Sequence, residues 1–484
     1  MQVRELEPTT IWNHFEDLNA VPRPSKKEER IRAFMVEFGK KLGLETVEDH
    51  IGNVIIKKPA STGMENRETV IIQSHIDMVH QKNADTNFDF LTQGIESYID
   101  GEWVKAKGTT LGADNGMGVA AAMTLLSSND IDHPALECLF TIDEETGMTG
   151  AKQLDGSLLS GSFLLNLDTE DDDEISIGCA GGIDTNTYYT YQTETPTKAS
   201  RSIIINLKGL KGGHSGMDIH LGRGNANLLL NRLVYELTQV ASVQMSSFVG
   251  GGLRNAIPRE AHTVLTVPAD EFSDFMKGYH AITEEIISEF SEIEANMVFS
   301  IEDVALPGSV MNAEDQKQII ATIYNTPNAV WKMSDKIKGL VETSSSLAKV
   351  SIVDGEFTSQ SLQRSMIESG KRDIANAIRL NYERLGAKVI QDGDYPGWAP
   401  NPSSKILKIV TDKYREMFND TPRVQACHAG LECGILNKHL PNCDMVSFGP
   451  TIKNPHSPDE KVNIKSVKKF WGFLLEVLKE TPIK

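Results

Sequence analysis

The sequence predicts an α/β fold: a mixed, mostly parallel sheet sandwiched by helices, into which a second, α+β lid domain is inserted. Three short apolar runs, at residues 70–72, 139–142 and 163–167, predict buried strands, and each run leads to charged residues. Helical patterns between these runs are typical of parallel strands that are covered on both faces. The candidate site residues lie in two distant parts of the chain, so the segment between them must leave the first domain and return.

Each predicted strand delivers acidic or imidazole side chains to its carboxyl end. The first ends at His75 and is followed by Asp77, the second leads to Glu144 and Glu145, and the third leads to Asp168. In sheets of this kind, ligands gather beyond the carboxyl ends of the strands. We therefore expect these five side chains to lie close together.

A glycine-rich turn at residues 112–118 lies between the first two runs and carries Asp114, and a helical pattern follows at residues 119–126. Taken alone, an aspartate before a helix is usually an N-cap. A His-x-Asp pair is more often a hydrogen-bonded strand end, and a Glu-Glu pair is usually solvated. The occurrence of all these groups in one α/β unit favours a metal site, since they are ligands that zinc, manganese or cobalt accepts.

The set has the composition that a two-metal site requires. Two divalent ions about 3.5 Å apart need a bridging carboxylate, terminal ligands and an open position for water. Asp114 is the predicted bridge. His75 and Asp168 would complete the ligand set of one ion, and Glu145 and His456, which lies near the end of the sequence, would complete that of the other.

Two further acidic residues have predicted roles beside the metal ligands. Asp77 would accept a hydrogen bond from the second ring nitrogen of His75 and so fix the orientation of that ring. Glu144, next to a ligand, would accept a proton from the attacking water and pass it to the leaving amine. We therefore predict a hydrolytic enzyme.

Composition limits the cellular setting and the partners. The chain has 484 residues and a net charge of −19, which argues against nucleic acid or an anionic membrane as a partner. No apolar run approaches the roughly 20 residues that span a bilayer, and the start of the chain lacks the pattern of a signal peptide, so we predict a cytoplasmic protein. The five cysteines are scattered and odd in number, which argues against a disulfide framework.

The length predicts more than one domain, because single cores rarely exceed roughly 250–300 residues. We place the catalytic domain at residues 1–185 and 395–484 and the inserted lid domain at residues 186–394. Within the insert, a strand at residues 202–208 precedes a helix at residues 227–240, whose buried face would comprise Leu229, Leu233, Val234, Leu237 and Val240. A similar order at residues 348–356 and 371–385 hints at two related α+β units.

These residues resemble the ordered motif of the co-catalytic metallopeptidases, a family that includes aminoacylases, glutamate-releasing carboxypeptidases, carnosinases and bacterial dipeptidases. The matching residues are His75-x-Asp77, Gly112-x-Asp114-Asn115-Gly116, Glu144-Glu145, Asp168 and His456, and the resemblance runs the whole length of the chain. Residues 74–79, 110–116 and 212–216 are most similar to members that cleave dipeptides with histidine on the carboxyl side, such as carnosine. The resemblance implies two zinc ions, with cobalt or manganese as alternatives, and a homodimer that acts on small peptides.

The resemblance also assigns residues in the inserted domain. It implies that His214 polarises the scissile carbonyl and stabilises the oxyanion. It implies that Asn255 and Arg364 hold the substrate, with Arg364 binding its free carboxylate, and that Gly430 makes a backbone contact. From the residues alone, Arg364 would be a surface salt bridge, whereas the glycines around His214 favour a functional turn. With two related units in the insert, His214 is expected to act within its own chain.

Two alternative functions remain open from the sequence. The first alternative has the same fold and metal site but a different substrate, and is a broader di- or tripeptidase or an N-acyl amino-acid deacylase. The more distant one is a non-catalytic metal-binding protein. Glu144 and His214 argue against the latter, because a storage or structural site needs neither a free base nor an oxyanion donor.

Overall fold

The computed structural model describes residues 2–197, 199–428 and 430–484, and the chain divides into two compact units. The first unit comprises Met1–Cys179, Trp398–Ala426 and Leu431–Lys484. The second comprises Ala180–Gly397 and the short segment Cys427–Gly430. The sequence did not predict that this short segment, which lies just before Leu431, groups with the second unit.

The described residues form eleven α-helices. They are α1 (Thr9–Asn19), α2 (Glu29–Lys41), α3 (Ala113–Ser127), α4 (Thr149–Lys152), α5 (Ala226–Leu237), α6 (Phe272–Phe290), α7 (Ala313–Tyr324), α8 (Glu368–Leu385), α9 (Lys405–Phe418), α10 (Glu432–His439) and α11 (Ile464–Lys479). Short 3-10 helices lie at Val3–Glu5, Gly156–Leu158 and Ile219–Leu221. Within the described residues, no helix is both long enough and apolar enough to cross a bilayer.

The strands of the first unit that precede the insert are β1 (Glu45–Glu48), β2 (Val54–Lys58), β3 (Val70–His75), β4 (Ser97–Asp100), β5 (Trp103–Ala106), β6 (Leu136–Thr141), β7 (Phe163–Asn166) and β8 (Glu174–Cys179). The second unit contributes β9 (Gly181–Thr190), β10 (Thr193–Glu194), β11 (Ser200–Lys208), β12 (Gly213–His214), β13 (Gln244–Gly250), β14 (Ala256–Ile257), β15 (Ala261–Pro268), β16 (Val298–Asp303), β17 (Val310–Met311), β18 (Ala329–Met333), β19 (Val341–Val353), β20 (Glu356–Ser365) and β21 (Lys388–Tyr395). The remaining strands are β22 (Arg423–Cys427), β23 (Asp444–Ser447), β24 (Ile452–Lys453) and β25 (Lys461–Asn463).

The main sheet of the first unit has eight strands in the order β1-β2-β6-β3-β7-β23-β8-β22. Its central strands β6, β3, β7 and β23 run parallel, while β2 and β8 join them antiparallel. Every residue of β3, β6 and β7 is buried, because helices such as α3 pack against these strands and leave no face for water. The predicted mixed α/β architecture is therefore confirmed.

Helix α3 differs in its start from the helix predicted at residues 119–126. It is assigned from Ala113, but Asp114 and Asn115 have non-helical dihedral angles, so the regular helix begins after them. Gly112, just before the helix, adopts a left-handed φ of 70°. The glycine-rich turn is thus divided: residues 112–115 precede the regular helix, and residues 116–118 form its beginning.

A small four-stranded sheet, β24-β25-β5-β4, joins two distant parts of the first unit. Strand β25 pairs antiparallel with β5, with Lys461 opposite Lys105. The beginning of β25 therefore lies at the end of β5, from which the chain runs on to α3. Because of this pairing, the loop between β24 and β25, which contains His456, comes close to the start of α3.

The second unit is built on a nine-stranded antiparallel sheet with the order β16-β11-β15-β13-β19-β20-β9-β21, in which β18 also pairs with β19. Helices α5, α6, α7 and α8 contribute to one continuous hydrophobic core over this sheet. The prediction for α5 was wrong at its end. The helix stops at Leu237, and Val240 is 45% exposed rather than part of the buried face.

Two positions of α8 provide a test of this packing. Ile378 is fully buried in the core of the second unit, whereas Leu380, two residues later, is 60% exposed. Ile378→Ala should lower the free energy of unfolding by about 2–5 kcal/mol, because it removes buried methyl groups and leaves a cavity. Leu380→Ala should change it by less than ~0.5 kcal/mol. Urea unfolding followed by circular dichroism measures both, and equal losses would contradict the assigned face of α8.

Candidate active site

The register of the parallel strands brings the predicted ligands to one edge of the sheet. Gln73 in β3 lies opposite Asn166 in β7, so His75 and Asp168, each two residues further on, leave their strands at the same level. His75 also lies opposite Thr141, the last residue of β6, after which the chain turns into Glu144 and Glu145. The three strands thus project their acidic and imidazole groups from one edge.

The side chains form two overlapping groups around Asp114. In the first, His75 Nε2 lies 3.2 Å from Asp114 Oδ1 and 3.5 Å from Asp168 Oδ1. In the second, His456 Nε2 lies 3.2 Å from Asp114 Oδ2 and 2.9 Å from Glu145 Oε2. Both groups have ligand atoms close enough together to hold a metal ion. The two oxygens of Asp114 face different histidines, which is the arrangement that a bridging carboxylate requires.

Asp77 is fully buried and makes contacts with two parts of the site. Its Oδ1 lies 3.3 Å from His75 Nδ1 and accepts a hydrogen bond of 3.0 Å from the backbone N–H of Glu144. Its Oδ2 accepts hydrogen bonds from the Ser25 hydroxyl at 2.8 Å and from the Glu145 backbone N–H at 3.3 Å. Asp77 therefore fixes both the ring of His75 and the backbone that carries the two glutamates.

Glu144 lies at the edge of the first group, with its Oε2 4.0 Å from His75 Nε2. His75, Glu144 and Glu145 also have ligand atoms close enough together to hold an ion, so position alone does not separate Glu144 from the ligands. Burial, followed by the nearby carboxylates, raises the pKa of Glu144 well above its usual value. A carboxylate in these surroundings has the raised basicity that a proton acceptor needs.

The charges at this edge fit divalent cations. Burial, together with neighbouring carboxylates, raises the pKa values of Glu145 and Asp168, and raises that of Glu170 to about 8. Hydrogen bonds with Asp114 and Glu145 raise the pKa of His456 to about 11. Within the described residues, the buried Oε1 of Glu145 has no hydrogen-bond partner. A cation bound by these oxygens would balance the excess negative charge and satisfy that oxygen.

Sequence reasoning missed Glu432, the first residue of α10, which is completely buried beside the ligand-bearing strands. Its Oε2 accepts hydrogen bonds of 2.6 Å from Gln73 Nε2 and from the Thr141 hydroxyl. The Oε1 of Gln73 in turn accepts a hydrogen bond from Asn166 at 2.5 Å. One hydrogen-bond network therefore connects β3, β6 and β7 just before the predicted ligands. In the sequence, this network is indicated only by the polar residues within the apolar runs.

His214 lies in a tight turn of the second unit, in the short strand β12. Gly213 before it has a φ of 136°, and a Cβ at Gly213 would lie 2.1 Å from Arg223 Nη1, so a side chain does not fit there. The Nδ1 atom of His214 accepts hydrogen bonds from the backbone N–H groups of Gly216 at 3.2 Å and Met217 at 2.9 Å. Burial and then the charge of Arg364 lower the pKa of His214 to about 4.

The predicted residue Asn255 is adjacent to His214. Its backbone oxygen accepts a hydrogen bond of 2.8 Å from Ser215, and Ala256 pairs with His214 between β14 and β12. Gly430, the predicted backbone contact, lies in the segment Cys427–Gly430 of the same unit, next to Ala429, which is outside the described residues. The structure thus brings Asn255 beside His214.

Arg364 is buried and does not form the surface salt bridge that its sequence context alone would suggest. It lies in β20 with only 5% of its surface exposed, and its Nη1 donates a 3.0 Å hydrogen bond to the Tyr395 hydroxyl. Its buried Nε has no hydrogen-bond partner among the residues that the structure describes. Gly216 packs against this side chain and against His428, since a Cβ at Gly216 would meet both. The second unit therefore contains a buried cation with spare hydrogen-bond capacity.

His428, which the sequence did not single out, is buried in the same cluster. Its Nε2 lies 2.8 Å from the hydroxyl of Ser344, which is opposite Arg364 in the pairing of β19 with β20. Burial and then the charges of Arg364 and His214 lower the pKa of His428 to about 3. At neutral pH the two histidines are uncharged, so Arg364 supplies the positive charge of this cluster.

The fold and the first unit's site define a class of protein: a metal-dependent hydrolase with a mixed α/β catalytic domain, in which buried carboxylates and histidines lie close enough together to hold divalent cations. Comparison with known proteins agrees with this class. Residues 71–480 match peptidase family M20/M25/M40, and the chain belongs to that family. It is a metal-dependent hydrolytic enzyme, because the members of this family require divalent metal ions.

Two relatives match the chain over its full length at 43% identity. The cytosol non-specific dipeptidase of Escherichia coli K12 is 43% identical over 484 residues, which is 100% of both chains. The crystal structure of an aminoacylhistidine dipeptidase from Vibrio alginolyticus is also 43% identical, with a TM-score of 0.95 over 100% of this chain and 99% of that one. The aminopeptidase PepT of Bacillus cereus, at 16% identity and a TM-score of 0.56 over 98% of this chain and 99% of that one, shares the fold.

The buried, neutral state of His428 predicts a pH effect on stability. Below its ordinary pKa of 6.5, the unfolded chain binds a proton on this residue that the folded protein does not bind. The free energy of unfolding should therefore fall as the pH decreases from 6.5 towards 3, by at most ~1.4 kcal/mol per pH unit for this group. In His428→Gln this contribution is absent, so its melting temperature should fall less steeply than that of the wild type.

Differential scanning fluorimetry from pH 7 to pH 4, with a chelator present, measures this difference. His280→Gln, at an exposed position of α6, is the control and should follow the wild-type profile. Parallel profiles for the wild type and His428→Gln would show that His428 does not lose its proton on folding.

Proposed function

We propose that this protein is a dizinc dipeptidase that prefers Xaa-His substrates such as carnosine. The observation that carries the proposal is the position of Asp114, whose two oxygens face His75 and His456 separately, with Glu144 beside the first group. Two ions sharing one carboxylate, next to a proton acceptor, are the parts needed to hydrolyse a peptide bond. The names of the two relatives that cover the whole chain support dipeptides as the substrate class.

The metal ligands follow the two groups described above. His75, Asp114 and Asp168 would hold one ion, and Asp114, Glu145 and His456 would hold the other. A donor set of imidazole and carboxylate groups suits zinc, with cobalt or manganese as alternatives. When bound, the cations supply Lewis acidity that activates water and polarises the scissile carbonyl.

Glu144 acts as the general base in this proposal. Its buried carboxylate, with a raised pKa, takes a proton from the attacking water and then donates it to the leaving amine. Asp77 positions this base, because it accepts the backbone N–H of Glu144 while it faces the ring of His75. The geometry of base and ligand is thus set by one buried carboxylate.

His214 would donate a hydrogen bond to the carbonyl oxygen as negative charge develops on it. Since its Nδ1 accepts two backbone N–H groups and its pKa is about 4, the neutral ring carries its proton on Nε2. This tautomer leaves an N–H available to the substrate without adding charge. Such a fixed donor stabilises an oxyanion more than the uncharged carbonyl of the ground state.

Arg364 would bind the free carboxylate of the dipeptide, and Asn255 and the backbone of Gly430 would complete the substrate contacts. The guanidinium is held by Tyr395 and retains a buried, unpartnered Nε. A planar donor of this kind suits a bidentate contact with a carboxylate. A requirement for this carboxylate would restrict cleavage to short peptides with a free C-terminus.

A broader di- or tripeptidase is the second candidate, and it is favoured by the name of the E. coli relative, a non-specific dipeptidase. N-acyl amino acids would present the same carboxylate, so deacylase activity belongs to the same alternative. We further propose a cytoplasmic location, supported by the word cytosol in that relative's name, and a homodimer.

The adjacent residues Glu144 and Glu145 allow a matched test of the mechanism. Glu144→Gln should lower kcat by at least ~100-fold, because the amide keeps the shape of the side chain but accepts no proton. Its metal content should stay close to that of the wild type. Glu145→Gln should lose metal as well as activity, as should Asp114→Ala. Metal analysis by inductively coupled plasma mass spectrometry and kinetics on one dipeptide measure both effects.

Retained turnover in Glu144→Gln would contradict the assignment of Glu144 as the base. Loss of metal from Glu144→Gln to the same extent as from Glu145→Gln would instead make Glu144 a ligand. A fully metallated Asp114→Ala would remove the bridging role of Asp114.

The substrate class is tested by measuring the release of free histidine from β-alanyl-histidine and from other Xaa-His dipeptides, beside dipeptides without histidine, tripeptides and N-acyl amino acids. Activity should be lost after chelation and restored by zinc. Release of histidine at higher kcat/KM than the release of other amino acids would support the preference. Equal rates across the dipeptides would favour the broader peptidase, and no cleavage by the zinc-loaded protein would favour a non-catalytic role.

A further inference from the structure

Glu460 is a buried carboxylate that the mechanism described above does not use. It is the last residue of the loop between β24 and β25, and only 2% of its surface is exposed. Its Oε2 accepts hydrogen bonds from the backbone N–H groups of Leu111 at 2.7 Å and Gly112 at 3.0 Å. Its Oε1 accepts them from Ala113 at 2.8 Å and Asp114 at 3.2 Å. One side chain thus binds four consecutive amides.

These four bonds satisfy donors that would otherwise be buried without a partner. Residues 111–114 precede the regular part of α3, which begins after Asn115, so the helix itself supplies no acceptor for their amides. A carboxylate has about four lone-pair positions, so Glu460 uses its full capacity on this segment. Both oxygens accept hydrogen bonds, as those of an ionised carboxylate do, and bonds to an ionised acceptor are stronger than bonds between neutral groups.

Arg23 binds the same segment from its carbonyl side. This arginine is buried, and its Nη2 donates a 2.6 Å hydrogen bond to the backbone oxygen of Gly112. Its Nη1 donates to the backbone oxygen of Asp77 at 3.1 Å. The Gly112 residue therefore donates to Glu460 and accepts from Arg23. Glycine is favoured at this position because its φ of 70° is left-handed and because a Cβ there would lie 2.5 Å from Arg23 Nη2.

We propose that Glu460, with Arg23, is a positioning residue that holds the backbone of residues 111–114 so that Asp114 faces both metal groups. The inference rests on the proposed two-metal function. Glu460 lies four residues after His456 in the same connection, so it also links the backbone of the bridging ligand to that of a terminal ligand. Its own oxygens are taken up by backbone N–H groups, so it supports the site without ligating a metal.

The test is the affinity for Zn²⁺ of the whole protein, measured by competition with a chelator of known affinity. Glu460→Gln keeps the shape but replaces one oxygen with an amide group that faces two N–H donors. Zinc binding should weaken by roughly 10- to 100-fold, as is typical when a group that orients a ligand is lost. At saturating zinc, kcat should recover to a value far above that of Glu144→Gln.

Asp459→Asn is the matched control, because it removes the same charge from an exposed neighbour, and it should bind zinc as the wild type does. Amide hydrogen exchange of the metal-free proteins gives a second readout. Peptides that cover residues 111–114 should exchange faster in Glu460→Gln than in the wild type or in Asp459→Asn. A purely structural role for Glu460 would lower the melting temperature without changing the zinc affinity of the folded fraction.

Arg23→Lys provides an independent variant should Glu460→Gln fail to fold. A single ammonium group cannot reach the backbone oxygens of both Gly112 and Asp77 in the geometry of the guanidinium, so zinc binding should weaken here also. Wild-type zinc affinity in the folded variants would overturn the proposal. A wild type that binds zinc tightly but cleaves no dipeptide would overturn the proposed function alone, and a wild type that binds no zinc would overturn both.

Discussion

The burial of several carboxylates at one edge of a parallel sheet is the constraint on which the first unit depends. Such groups are stable together only when donors or cations compensate their charge. Those without a proposed metal, such as Asp77 and Glu460, accept hydrogen bonds mainly from backbone N–H groups. Those proposed as ligands, such as Asp114 and Glu145, face histidines, and Glu145 keeps a buried oxygen without a partner within the described residues. The backbone donors of Asp77 and Glu460 thus distinguish these two carboxylates from the proposed ligands Asp114 and Glu145.

The sequence was sufficient for the strands and for the candidate ligands because both are local patterns. An apolar run that ends at His75 or leads to Asp168 indicates a buried strand and a polar edge together. Glu460 gave no such signal, since it follows a proline and an aspartate in what reads as a solvated loop, and its partners are backbone amides about 350 positions earlier. The end of α5 was also misplaced, because Val240 continues the apolar spacing after the helix has ended.

The two units meet different electrostatic requirements. The first unit concentrates negative charge, whereas the second holds Arg364 between histidines whose burial keeps them neutral. Arg364 and Ser344 are opposite each other in β20 and β19, in the middle of a continuous antiparallel sheet, so their backbone positions are fixed by neighbouring strands on both sides. In the proposed function, the uncharged His214 would bind the neutral carbonyl and the charged Arg364 would bind the anionic carboxylate of the same small molecule, so the two groups would not compete.

The position of His456 in the chain also sets an order of events during synthesis. His75, Asp114, Glu145 and Asp168 leave the ribosome before the second unit, and His456 follows only after it. At about 5–20 residues per second, the residues between Asp168 and His456 take roughly 15–60 s to add. In the proposed site, the nascent chain would have only a partial ligand set during that interval. Metal binding would therefore be completed late, when the β24–β25 connection docks.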